Sequence, residues 1–305
     1  MSNLPRHERP LNRRHFVGAL GTTLALPLLA AMAPLRGATS SRPTAAAKAA
    51  RKQAVRRRRR VIFNNDGNDV FATDAPATKE GFLSVRMDHI ADCGVDYVFY
   101  CTTISSVLSH DSKVLELTTR TGGNQKKNRM TALLRMGTDP LRLAVESCRK
   151  HNIEVFWTLR MNDIHDNWFK EIRAQWKDQH PELVMGTPEE AARYDRRDPR
   201  SIWSLADFER GEIRDLMIKA VAEVLENYDV DGIDLDFLRH LCYFKETRLD
   251  QPVTPAHRDL LTDMMRQIRE RVLAASERKG KPILLSARVA QTLALNQHFG
   301  LDLQR

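Results

Sequence analysis

Tyr228-Asp229-Val230-Asp231-Gly232-Ile233-Asp234-Leu235-Asp236-Phe237-Leu238-Arg239-His240 reads as a buried strand that ends in charge. Side chains on a strand alternate faces, so Ile233, Leu235 and Phe237 share one face while Asp234 and Asp236 point together from the other. Two neighbouring carboxylates disfavour each other's ionisation. A fold keeps such a pair where it meets arginine, binds a cation or moves protons. The plain reading is an ion-pair network with Arg239 or another arginine. The functional reading is an active-site acid pair, Asp236 and Asp234.

Working outward, strands and helices alternate. Apolar runs at 61–63, 95–101, 153–159 and 283–289 predict four more strands. Helical spacing predicts helices near 82–93, 141–151, 212–227 and 255–278. Asp139-Pro140 is a good start for the second helix, and Gly94 a good end for the first. Strands alternating with helices imply a parallel sheet with helical crossovers. Helix-to-strand connections are short, whereas about 35 residues follow Thr102 and nearly 50 follow Asn162. One tight end and one elaborated end suit a (β/α) barrel of the TIM type, with function on the loops that follow the strands. No Gly-rich phosphate fingerprint follows the first strand, which counts against a dinucleotide fold.

Polar residues recur at the strand ends: Asn64 and Asp66, Thr102, Arg160 and Asn162, Asp234 and Asp236, Ser286 and Arg288. At one end of five neighbouring strands they are expected to converge. The third long loop adds Asp163, His165 and all four tryptophans, counting Trp157 just before it. Trp168 and Trp176 read as the buried stripe of a short helix. Trp203 is a candidate platform for a sugar ring. His165 suits a general acid, a metal ligand or a loop hydrogen-bonder. The Gly122-Gly123 pair of the second loop lacks a P-loop pattern. The candidate substrate-binding set is Asp66, Arg160, Asn162, Asp163, His165, Trp203, Arg239, His240 and Arg288.

The formal charge of +9 belongs to the leader. Residues 1–60 hold 14 Lys and Arg against one acid, so the other 245 residues carry 34 basic and 38 acidic groups, a balance of −4. The globular part therefore gives no nucleic-acid signal. Arg13-Arg14-His15-Phe16 before a weakly apolar run resembles a twin-arginine export signal over 1–36. That resemblance implies the twin-arginine export machinery as a partner and an exported protein, periplasmic or in the cell envelope, anchored if the signal is uncleaved. Otherwise no membrane contact is expected. Residues 37–59 read as a disordered basic linker, and 60–305 as the N-terminal part of the barrel. Cys93, Cys101, Cys148 and Cys242 show no zinc spacing and read as small buried hydrophobes. No cofactor and no metal is expected.

Tyr228 to Arg239 resembles the Y-D-V-D-G-I-x-x-D-[YF]-x-R segment of the family 10-like glycosyl hydrolase group, glycoside-hydrolase-like TIM barrels of exported bacterial proteins. Leu205 to Arg214 and Arg160 to Asp166 resemble the same group. The resemblance, over about 60–290, implies a TIM barrel and a carbohydrate substrate. Two departures stand out. A chitinase-like D-G-x-D-x-D-x-E pattern would need an acid where Leu238 stands. A closed barrel has eight strands, and the sequence predicts about five, so a second catalytic carboxylate from a late strand is not in view. A fragment, a truncated product and a barrel completed by another chain all fit that count. The leading expectation is a glycosidase-type hydrolase with Asp236 as general acid or nucleophile. The alternatives are a metal-dependent hydrolase on the same barrel and a non-catalytic carbohydrate-binding barrel.

Overall fold

The computed structural model describes residues 44–71, 74–119 and 127–304. The expected signal over 1–36 and the Gly122-Gly123 pair lie outside them. Among the described residues no helix is long and apolar enough to cross a membrane.

The core is a five-stranded parallel sheet in the order β1 (Ile62–Asn65), β2 (Tyr97–Cys101), β6 (Glu154–Arg160), β7 (Gly232–Asp236) and β8 (Leu284–Arg288). A small second sheet, β3 (Thr103–Ile104), β4 (Val107–Leu108) and β5 (Glu116–Leu117), fills the loop after β2. The large sheet follows chain order without reversal, as consecutive staves of a barrel do; a doubly wound sheet reverses part-way. The sheet is not closed among the described residues, and β1 and β8 are its edges.

Helices α1 (Ala45–Arg56), α2 (Lys79–Leu83), α3 (Met130–Arg135) and α4 (Pro140–Lys150) are followed by two single turns, α5 (Trp176–Gln179) and α6 (Pro188–Ala191). Then come α7 (Gly211–Asn227), α8 (Lys245–Arg248), α9 (Pro255–Arg278) and α10 (Leu293–His298). Helix α4 starts where expected: Asp139 Oδ1 accepts the Arg142 amide at 3.0 Å and Pro140 occupies the first turn. Ile213, Leu216, Met217, Ala220, Val221 and Val224 form the buried stripe of α7.

Two expectations are corrected. The helix predicted over 82–93 is the five-residue α2 plus a 3₁₀ turn at Ala91–Cys93. Its most buried residues, Phe82, Met87 and Ile90, are spaced five and three apart, off the helical period. Gly94 is left-handed, φ +65°, as its end position requires. The basic linker read as disordered contains α1. Alanine-rich composition favours that helix, Thr44 caps it through the Ala47 amide at 3.1 Å, and its ends are tied far along the chain. The Thr44 amide donates to Glu277 at 3.3 Å, and beyond α1 the Arg59 guanidinium clasps Glu154 at 2.5 and 3.0 Å.

Parallel register sorts the side chains. Val98, Tyr100, Val155, Trp157, Leu159, Ile233 and Leu235 are buried on the helix-covered face. The other face is layered: Asn64, Phe99, Phe156, Gly232 and Leu284, then Cys101, Thr158, Asp234 and Ser286, then Arg160, Asp236 and Arg288. Gly232 leaves room for the Phe156 ring; a Cβ there would lie 2.2 Å from a ring carbon. At the opposite end of the sheet Asp231 is a clamp. It accepts the Arg149 fork at 2.7 and 2.9 Å and the Val155 amide at 2.9 Å.

Of the cysteines, Cys101 and Cys148 are buried, Cys242 is half-buried, and Cys93 is exposed, against expectation. Cys93 falls on the last turn before Gly94, where its Sγ donates to the His89 carbonyl.

Candidate active site

The last two layers at the carboxyl ends of the strands hold the chemistry. Asp234 is fully buried. Its Oδ1 accepts Ser286 Oγ at 2.9 Å, and its Oδ2 accepts Thr158 Oγ1 at 3.0 Å and the Arg288 guanidinium at 2.9 and 2.8 Å. Burial pushes its carboxyl above the usual range, against the opposing pull of Arg288, Ser286 and Thr158. Asp236 is one layer further out and less committed. Its Oδ1 accepts the Leu238 amide at 2.9 Å, and Arg288 Nη2 lies 3.5 Å from Oδ2. In register it stands between Arg160 and Arg288. The plain reading of the acid pair, an ion-pair network with Arg239 or another arginine, is met by Arg288.

Arg160, also buried, bridges two other acids, with Asp163 Oδ2 at 3.1 Å and Asp66 Oδ1 at 3.3 Å. Asp163 is buried and accepts the His165 amide at 2.9 Å and the His165 ring at Nδ1. Burial alone would raise its carboxyl; the hydrogen bonds from His165 and the charge of Arg160 outweigh that and hold it well below the carboxylate range. The imidazole of His165 accepts from Arg239 Nη2 at Nε2, 2.7 Å away. A ring accepting at Nε2 and bonded to a carboxylate at Nδ1 is the neutral Nδ1–H tautomer. The chain Asp163, His165, Arg239 therefore orients an exposed guanidinium from a buried anion.

A cleft of about 240 Å³ opens beside these groups, walled by Asp66, Asn68, Phe71, Thr103, Ser109, Arg160, His165, Phe169 and Arg239. Gly67 shapes its edge. Its φ is +73°, and a Cβ would sit 1.6 Å from the Cys101 carbonyl oxygen. Asp234 and Asp236 lie next to this cleft and are not among its lining residues.

Three candidates sit outside the cleft, and Thr102 lines it with its hydroxyl turned away. The Asn162 side chain is spent on loops: its Nδ2 donates to the Ala206 and Cys242 carbonyls at 2.9 Å each, and its Oδ1 accepts the Ala206 amide at 3.1 Å. Thr102 turns to the helix-covered face, where its hydroxyl meets Trp157 Nε1 and His110 Nδ1, both at 2.7 Å. Trp203 carries the Arg173 guanidinium over its ring at 4.4 Å. His240 lies behind His165, with ring centroids 6.2 Å apart, and burial lowers its pKa to about 4. The single helix expected across Trp168 and Trp176 breaks into separate turns, leaving Trp176 buried and Trp168 44% exposed. Sequence reasoning missed Asn68, Phe71, Thr103, Ser109 and Phe169 as wall residues, and Thr158 as a partner of Asp234. Thr158 carried a signal, standing two before Arg160 on the same strand face. Among the described residues no three His, Cys, Asp or Glu side chains gather as the ligands of a metal would.

No protein-family model matches the chain, and no curated protein matches its sequence. Solved structures similar to it include glycoside hydrolases, at low identity. The alpha-L-fucosidase isoenzyme 2 of Paenibacillus thiaminolyticus is 15% identical with TM-score 0.43, over 79% of this chain and 34% of that one. A GH36 alpha-galactosidase of Geobacillus stearothermophilus, in complex with 1-deoxygalactonojirimycin, is 15% identical with TM-score 0.43, over 76% and 28%. The alpha-amylase of Geobacillus thermoleovorans, complexed with acarbose, is 13% identical with TM-score 0.42, over 79% and 50%. The chain thus spans half or less of the length of these structures.

Proposed function

We propose that the chain is an exported, glycoside-hydrolase-like protein whose site handles carbohydrate at the carboxyl ends of β6, β7 and β8. The observation that carries this reading is the outermost layer, in which Asp236 stands in register between Arg160 and Arg288. Asp236 is the group for proton transfer or nucleophilic attack. Asp234, saturated with donors, positions Arg288. Asp66, whose side chain is 58% exposed across Arg160, is assigned as the second carboxylate. Two carboxyl groups flanking a glycosidic bond are what hydrolysis needs, and their separation sets retention or inversion. Phe71 and Phe169 offer faces to a sugar ring, and Ser109 and Asn68 offer hydrogen bonds. The export reading rests on Arg13-Arg14 and the run that follows, and the family 10-like assignment on the segment Tyr228 to Arg239.

The test is hydrolysis of a panel of oligosaccharides, with products read by chromatography. Asp236→Asn and Asp66→Asn should each abolish turnover while leaving binding intact. Turnover that survives Asp236→Asn removes the assignment. A non-catalytic carbohydrate-binding role is favoured by the saturation of Asp234 and Asp163. Binding in the same panel with no product from any bound sugar selects it.

A further inference from the structure

Three arginines stand at the candidate site, and their partners differ. Arg160 is neutralised by Asp163 and Asp66, and Arg288 by Asp234 and Asp236. Arg239 is exposed and has no acid partner among the described residues; its one side-chain bond goes to the neutral ring of His165. A free surface arginine keeps its rotamer entropy and loses it on binding. Here that freedom is already restricted, because His165 is itself fixed by buried Asp163. The result is an oriented, uncompensated guanidinium on the cleft wall, with a fork that matches a carboxylate or sulfate.

A second observation is independent of charge. Thr103 is 4% exposed and lines the same cleft, yet its hydroxyl has no hydrogen-bond partner. Asn68 lines it too, and its Oδ1 is likewise buried and unpartnered. Buried polar atoms without partners are rare and mark where a missing group belongs. A hydroxyl and an amide oxygen next to Phe71 and Phe169 describe the hydroxyl edge and the C–H face of a sugar. At about 240 Å³ the cleft is a subsite for a small unit, below the ~300–1,000 Å³ of drug-sized pockets.

We infer that the cleft holds an anionic sugar, with Arg239 taking its carboxylate or sulfate ester and Thr103 and Asn68 taking its hydroxyls. This deepens the carbohydrate reading and rests on it.

Calorimetric titration of the full chain tests it at matched ionic strength with four probes: trigalacturonate, a sulfated galactan trisaccharide, neutral galactotriose and sodium sulfate alone. One of the charged sugars should bind at least about ten-fold tighter than the neutral one, and which one identifies the anion. Arg239→Gln should weaken that charged sugar by about ten- to a hundred-fold, the range for a charge-assisted bond, and leave the neutral sugar within about two-fold. Arg239 is exposed, so the variant should keep the wild-type melting curve. Thr103→Val should weaken charged and neutral sugars alike. Equal binding of neutral and charged sugars, or an Arg239→Gln variant with unchanged affinity, overturns the inference and leaves the carbohydrate reading standing. Sulfate alone binding as tightly as the sulfated sugar also overturns it. No binding of any sugar by folded protein overturns both.

Discussion

Two aspartates on one strand, two residues apart, hold unlike positions. Asp234 is sealed among Ser286, Thr158 and Arg288, whereas Asp236 takes one backbone amide and a distant edge of Arg288. Asp234→Asn should therefore cost about 1.5–3 kcal/mol in urea unfolding, since it removes the charge from the bonds to Ser286, Thr158 and the partly exposed Arg288. Asp236→Asn should stay within about 1 kcal/mol of wild type, typical of sites outside the packed networks. A similar loss in both variants would show that the two acids are one structural unit. His110 offers a pH test. It is fully buried between Trp157 and Tyr228, and desolvation lowers its pKa from 6.5 to about 3. The folded ring stays neutral while the unfolded chain takes up a proton below about pH 6.5. Stability from this group is thus present above pH 6.5 and lost as pH falls toward 3. At pH 5 the loss is about 2 kcal/mol relative to pH 7. His110→Asn should lose less stability over the same interval by that amount, measured by denaturant midpoints. The acid pair was legible at this scale because strand alternation fixes which side chains share a face. Which of the converging arginines pairs with it was not, because Arg288 lies 52 positions beyond Asp236 in the chain and only register brings them together.

Elements that bury a regular stripe were legible, and those held by single long-range contacts were not. Helix α7 and strand β7 announce themselves by spacing, and each lies where the pattern puts it. Helix α1 buries nothing and is anchored through Thr44 and the arginines that follow it, so composition alone read it as disorder. The long third loop failed for the same reason. Its turns answer to Asp166, which takes Lys177, Arg173 and Ser204 in one buried cluster. At the end of β1 the backbone itself is the constraint. Gly67→Ala adds a Cβ at positive φ, on top of the Cys101 carbonyl, at a cost above the ~1–2 kcal/mol of the left-handed conformation alone. It should lower the melting temperature and weaken sugar binding together, because Asp66 and Asn68 flank the glycine. Unchanged binding with a lowered melting temperature would separate the loop from the site.

Across the whole molecule, the five strands form a gradient from edge to centre. Strand β6 is paired on both sides and buried on both faces, while β1 and β8 each lack one neighbour among the described residues and are more exposed. Hydrogen exchange should follow that gradient, slowest in β6 and β7 and fastest in β1 and β8. Equal protection in β8 and β6 would reveal a partner covering the β8 edge. The strand order carries a further consequence, for synthesis. Each strand pairs with the one translated just before it, so no strand of the large sheet waits for a distant partner. Domains fold N-terminal first as the chain emerges. This sheet can therefore be laid down stave by stave on the ribosome. A force-sensing arrest peptide placed after successive strands should report a pull as each of β2, β6, β7 and β8 clears the exit tunnel. A single pull after β8 alone would mean that the staves assemble together.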